Sequence, residues 1–195
     1  MTSPLEPGDI DDLREYVRVQ VTAGFAPVPA VVAEAVAAFA DTTLDPEAVR
    51  EAASALAAEA VATQLADQES WPETTDNDRL DAAFVTLEAS GIVARQHFSC
   101  CGTCGATDIV DEMDRVAKNG ATVRGYTFFH VQDTEHAVDG ESLYLSFGVP
   151  DGDKDAALAV GHEVVDALRN QGLHPAWNGR HANRIGLPLV WQRRR

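Results

Sequence analysis

Apolar residues recur at helical spacing in the first ninety positions and at alternating spacing in much of the remainder. Ile10, Leu13, Val17 and Val21 line one face of a helix that Asp9 can open, with Asp12 in its first turn and Gly24 at its end. A second helix starts near Pro29, a good first-turn residue, and groups Val32, Val36 and Phe39. Asp45-Pro46 opens a third, bearing Val49, Ala53, Leu56 and Ala60. The many alanines let these helices approach closely. Glu69 to Thr75 reads as a linker, because Pro72 disfavours helix at Trp71. Thr75 and Asp78 then have capping-box spacing, before a fourth apolar stripe, Leu80, Ala83, Phe84 and Leu87, which Gly91 stops.

The next segments are strand-like. Ile92 to Phe98 is rich in β-formers, Thr107 to Lys118 repeats at helical spacing, and Val123 to Val131 predicts a second strand. Asp133-Thr134 caps a short helix. Ser142 to Val149 alternates Leu143, Leu145 and Phe147; a helix then runs from Asp155 to Gly172, and Leu173 to Trp177 is a fourth strand. Asn178-Gly179 signals a turn, and a last strand reaches Trp191, at an edge because of Pro188. The order predicts an α+β chain: a helical segment of three helices over residues 1–70, and an α/β sandwich over residues 71–195. The second part is expected to be a ferredoxin-like βαββαβ domain with an extra C-terminal edge strand.

Composition narrows the function classes. Met1 to Gly8 lacks the basic and apolar regions of a secretory signal, and the longest apolar stretch, Val28 to Ala40, contains Glu34 and is too short to span a membrane. No membrane association is expected. The formal net charge is −16, and Arg180, Arg184, Arg193, Arg194 and Arg195 place +5 in the last sixteen residues. The remaining −21 repels phosphate backbones, so no nucleic-acid partner is expected. The arginine tail reads as a frayed, solubilising terminus. The acidic helical segment is the expected surface for a protein partner.

Cys100, Cys101 and Cys104 are the chain's three cysteines. Clustered and odd in number, they do not form a secreted disulfide framework, and they predict a reducing cytoplasmic setting. Cys101-Gly102-Thr103-Cys104-Gly105 has the spacing of a metal knuckle, in which glycine permits the tight turn that aims two sulfurs at one ion. A tetrahedral zinc site would recruit Cys100 or His130, with His136 and His97 as further candidates. In the expected topology the first strand ends at the cysteine loop and the second, parallel to it, carries His130 to the same edge. Asp133, Glu135 and His136 lie over that edge, and His174 starts the fourth strand there.

The position also resembles that of the Cys-x-x-Cys loop in heavy-metal-associated domains of the copper-chaperone kind, although Ser99 stands where those have methionine. Soft thiolates favour zinc or Cu(I). A strand, Cys-x-x-Cys and helix also resemble the thioredoxin layout. Against it, Cys104 precedes the helix cap expected at Thr107, and no proline is placed to face the thiols.

The strings Trp71-Pro72, Thr75 to Asp81, Gly91 to Gln96, Cys100-Cys101-x-x-Cys104-Gly105 and Phe128-Phe129-His130-x-Gln132-Asp133-Thr134-Glu135 resemble an uncharacterised family of domains of unknown function from high-GC actinobacteria. The resemblance covers most of the chain. It implies no activity and points to the cysteines, His130, Asp133 and Glu135. Three readings stay open: a zinc-like metal site, structural or regulatory; a thiol-dependent oxidoreductase or Cys/His enzyme; and inert cysteines in an acidic interaction module.

Overall fold

A computed structural model describes residues 5–39 and 44–195. Met1 to Pro4 of the stretch tested for a signal, and Ala40 of the longest apolar stretch, lie outside the described residues. The chain forms two compact units, Met1–Glu73 with Gln192–Arg195, and Thr74–Trp191. The division falls at residue 73, against an expected 70, and the last four residues go with the helical unit.

The first unit contains α1 (Pro7–Ala23), α2 (Val28–Ala38) and α3 (Pro46–Gln68), which pack on one another. Leu13, Val17, Val21, Val31, Val49, Ala53 and Ala57 are buried together. The cap of α1 is Glu6 rather than Asp9; Asp9 reaches back to the Glu6 amide from the third helical position. Asp45 caps α3 by accepting from the Glu47 amide.

The terminal arginines are not frayed. Arg195 donates through Nε and Nη2 to the Val21 carbonyl at 3.0 and 2.7 Å and through Nε to Gln64 Oε1 at 2.9 Å. Gln64, 4% exposed, returns a bond from Nε2 to the Arg193 carbonyl, and the Arg193 guanidinium lies 4.3 Å from the Phe25 ring centroid. Val21 sits in the last turn of α1, where carbonyls lack helical partners. Composition marks a basic tail as solvated without reference to carbonyls left open at a helix end, which is why the expectation fails.

The second unit holds α4 (Asp76–Ala89), β1 (Ile92–Arg95), α5 (Gly102–Lys118), β2 (Gly125–Phe128), α6 (Val131–Val138), β3 (Leu143–Gly148), α7 (Lys154–Asn170) and β4 (Ile185–Leu187). The Thr75–Asp78 capping box opens α4 as its spacing predicts. The mixed sheet has the order β1-β2-β3-β4: β1 is parallel to β2, and β2–β3 and β3–β4 are antiparallel.

This order corrects the ferredoxin-like expectation. A split βαβ unit needs a strand between β1 and β2, yet Ile92 to Arg95 pair directly with Gly125 to Phe128. The α5 connection therefore closes an unsplit βαβ unit. Leu173 to Trp177 is not a strand beside β1; its one bridge among the described residues, Ala176 to Gly186, lies on the far side of β4. The final strand is three residues long and stops before Pro188, which cannot donate to a ladder.

Strand alternation assigns the faces. A Cβ on Gly125 would come within 2.6 Å of Val160 in α7, and one on Gly161 in α7 within 2.8 Å of Phe147. Gly125, Thr127 and Phe147 therefore face α7. Tyr126 and Phe128 face the other way, into a cluster with Val93, Ile109 and Met113 under α5. Helix α5 packs on β1 and β2, and Ser146 of β3, which shares that face, lies beyond its cover.

Replacing Arg195 with alanine should lower the stability of the helical unit by about 1.5–3 kcal/mol, the usual range for hydrogen bonds to a charged group. Urea unfolding followed at Phe25 and Tyr16 through substituted fluorophores would measure it; an unchanged midpoint would return the tail to the solvated class.

Candidate functional site

The site begins with a strained bend. His97 and Ser99 have φ of 51° and 62°, the left-handed region that costs a residue with a side chain on the order of 1 kcal/mol or more. What holds the bend is a continuation of the β1–β2 ladder: Phe129 N–H donates to the Arg95 carbonyl, Phe98 N–H to Phe129, and Val131 N–H to Ser99 at 3.1 Å. The His97 ring bonds through Nδ1 to Thr134 Oγ1 at 3.0 Å, and Ser99 Oγ donates to Asp108 at 2.7 Å. Backbone and side-chain bonds together fix the approach to the cysteines.

Helix α5 starts at Gly102 rather than after a cap at Thr107, and Cys101 is its N-cap. Periodicity places the start late because Gly102 to Ala106 carry no apolar stripe. Gly105 explains the composition of this turn. Its Cβ would stand 2.5 Å from Phe128 Cε2, so only glycine lets the first turn rest on the aromatic strand.

The sulfurs of Cys100, Cys101 and Cys104 lie within 4.8 Å of one another, all three free. Cys100 and Cys104 are exposed and Cys101 is half-buried. Backbone donation from Cys104, then the neighbouring Cys104 and Cys100 thiols and the Thr103 amide, holds the Cys101 pKa below the ordinary thiol range. Cys104 is pushed up to about 12 because its thiol donates to Cys100 and Cys101 and sits beside their charge. Of the two, Cys101 gives up its proton first and Cys104 retains it longer.

His130 comes to the same edge. A Cβ on Gly102 would lie 3.5 Å from its Nε2. The imidazole is nevertheless outside the three-sulfur group and is otherwise engaged. His130, rather than Asp133-Thr134, is the N-cap of α6: its Nδ1 accepts from the Asp133 amide at 3.2 Å, and Asp133 Oδ2 accepts from the His130 amide at 3.0 Å. Nε2 lies 3.1 Å from Asp133 Oδ2. This pattern assigns the ring proton to Nε2. Burial lowers the His130 pKa, against the pull of the Asp133 carboxylate. The capping contribution is therefore fully present above the unfolded value of about 6.5, and it is lost as pH falls from there through the lower folded value.

Asp133, 3% exposed, also accepts Arg184 Nη1 at 3.0 Å and Nη2 on its second oxygen. Arg184 bonds the Tyr144 carbonyl and lies 5.8 Å from the Tyr144 ring centroid. No local pattern signals Arg184, which is 51 positions from Asp133. Of the other candidates, Glu135 is half-buried and His136 exposed on α6, close enough for its charge to act on His130. His174 is exposed in the segment beyond β4, and β1 is the sheet's opposite edge. The sheet order therefore removes it from the cysteine loop.

Residues 6–195 match a family described as Domain of unknown function (DUF6891). The chain belongs to that family. Its match spans both compact units, so the helical segment and the thiol-bearing domain are parts of one family unit. No curated protein and no solved structure matches the chain. Among the described residues of this DUF6891 chain no helix is long and apolar enough to cross a membrane.

Alkylation of the reduced protein as a function of pH should modify Cys101 with a midpoint below about 8.5 and leave Cys104 protected until strongly alkaline pH. Peptide mapping checks the assignment; equal rates at both positions would remove the asymmetry. Gly105→Ala should cost about 1–3 kcal/mol through overpacking against Phe128, read as a lower urea midpoint.

Proposed function

We propose that Cys100, Cys101 and Cys104 form a solvent-open, three-thiolate site for a soft metal ion of the zinc or Cu(I) type, regulatory rather than structural. The mutual approach of all three sulfurs to within 4.8 Å carries this reading. A zinc–sulfur length of about 2.3 Å at tetrahedral angles requires sulfurs about 3.8 Å apart, a change within reach of side-chain rotation on a fixed bend. Three thiolates suit a soft ion and offer little to magnesium or calcium.

Two observations favour regulation. All three ligands come from one five-residue stretch, so an ion would cross-link almost no chain that the ladder does not already hold. The fourth position is open: His130 would have to surrender its Nε2 proton, and moving that proton to Nδ1 would set it against the Asp133 amide. Water or an incoming ligand is then the fourth donor. Binding must expel the proton that Cys104 retains, so affinity falls as pH falls.

A specific observation favours a second reading, dithiol redox chemistry: Cys101 caps α5 with a lowered pKa while Cys104 keeps its proton. In that reaction the Cys101 thiolate attacks a disulfide substrate and expels one thiolate. Cys104 then loses its proton and attacks Cys101 Sγ, expelling the second thiolate. The substrate gains two electrons and the protein keeps a Cys101–Cys104 disulfide.

Protein purified without added metal should contain close to one equivalent by elemental analysis. Each of Cys100→Ser, Cys101→Ser and Cys104→Ser should weaken zinc binding by more than the roughly 10–100-fold that loss of an outer-shell partner costs. Chelation should leave the protein folded, with the unfolding midpoint lowered only by the lost ligand linkage. Metal well below one equivalent with freely titrating thiols would end the metal reading. Cys100→Ser separates the two chemistries, since it removes a metal ligand and spares the Cys101–Cys104 pair.

A further inference from the structure

The part of the sheet face beyond the cover of α5 contains a cavity of about 210 Å³. Gly102 and Ala106 of α5 form one wall, Tyr126, Phe128 and Ser146 lie along the strands, and the loop 181–184 ending in Arg184 forms the opposite wall. The volume is below the roughly 300–1,000 Å³ of sites for drug-sized ligands, so the occupant is of fragment size.

Its chemistry is asymmetric. The half-buried Tyr126 ring is stacked on the buried Phe128 ring at 6.1 Å with an interplanar angle of 25°, so the aromatic surface on this side is that of Tyr126. Among the described residues of the lining Arg184 is the one with a fixed charge, although 31 of the chain's 195 residues are acidic. The carboxylate that balances it, Asp133, is buried and does not line the cavity, so the lining has a cation and no carboxylate. Arg184 Nε is buried and has no hydrogen-bond partner. The side chain as a whole is nevertheless 35% exposed, so an anion in the cavity can approach the guanidinium. His181, Asn183 and the Ser146 hydroxyl add neutral polar groups around it.

We infer that this cavity binds a small planar aromatic carboxylate, its ring against Tyr126 and its carboxylate toward Arg184. The site is independent of what the thiols do. Gly102, however, belongs to both the cavity wall and the cysteine turn, which sets any occupant beside Cys101.

The test is benzoate titrated into the full-length protein, followed by amide chemical shifts. Saturable shifts at Ala106, Ser146 and Arg184 with a Kd on the order of 1 mM support the site. Benzyl alcohol, with the same ring and no charge, should bind at least about tenfold more weakly. Ala106→Phe fills the cavity from the exposed side of α5 and Ser146→Leu fills it from the sheet; either should weaken benzoate by about tenfold or more while amides elsewhere stay in place. The Cys100→Ser, Cys101→Ser, Cys104→Ser triple variant should bind benzoate as the parent does. Unsaturable or dispersed shifts, equal binding of benzyl alcohol, or loss of binding in the triple variant would overturn the inference.

Discussion

The direct parallel pairing of β1 with β2 is the constraint on which the site depends. Parallel strands end at the same edge of a sheet, and here the ladder runs past the regular strands through Phe98–Phe129 and Ser99–Val131. That continuation holds two left-handed residues in place and delivers the cysteine turn and the α6 cap to one rim. With another strand between β1 and β2, these backbone bonds could not form. The cysteines would then hang on an unsupported loop, and the cost of the bend would have no compensation.

The same topology explains why α5 begins at Gly102. The chain leaving Ser99 must turn back over β1 and β2 at once, and the aromatic side chains below leave no room for a side chain at the first close approach. Gly105 meets that requirement against Phe128. Early helix initiation makes Cys101 the N-cap, where backbone amides favour its thiolate. The backbone share of the lowered Cys101 pKa thus descends from packing beneath the helix, and the raised Cys104 from its thiol neighbours.

Much of the fold is legible in the sequence where one element declares itself locally. The stripes of α1, α3 and α4, the Thr75–Asp78 box, the alternation in β3 and the approach of the cysteine turn to His130 all come from short-range pattern or strand direction. Sheet order does not. Period-two alternation says that Val123 to Phe128 pairs with something, and it is silent on whether a third strand intervenes; the ferredoxin-like order and the placement of His174 fail together for this reason. The start of α5 is hidden because glycine, threonine and cysteine give no apolar periodicity. Arg184 is hidden because an ion pair across 51 residues leaves no local trace.

His130 shows how hydrogen-bond accounting changes a functional reading. A histidine near three cysteines invites assignment as a fourth ligand, but a ligand needs a free lone pair. Nδ1 gives its lone pair to the Asp133 amide, and the Nε2 this leaves protonated lies 3.1 Å from an Asp133 oxygen. Asp133 in turn is held by Arg184, so breaking the imidazole free would disturb the α6 cap and the ion pair behind the cavity together. The ring is therefore better understood as a brace between the thiol turn and Arg184.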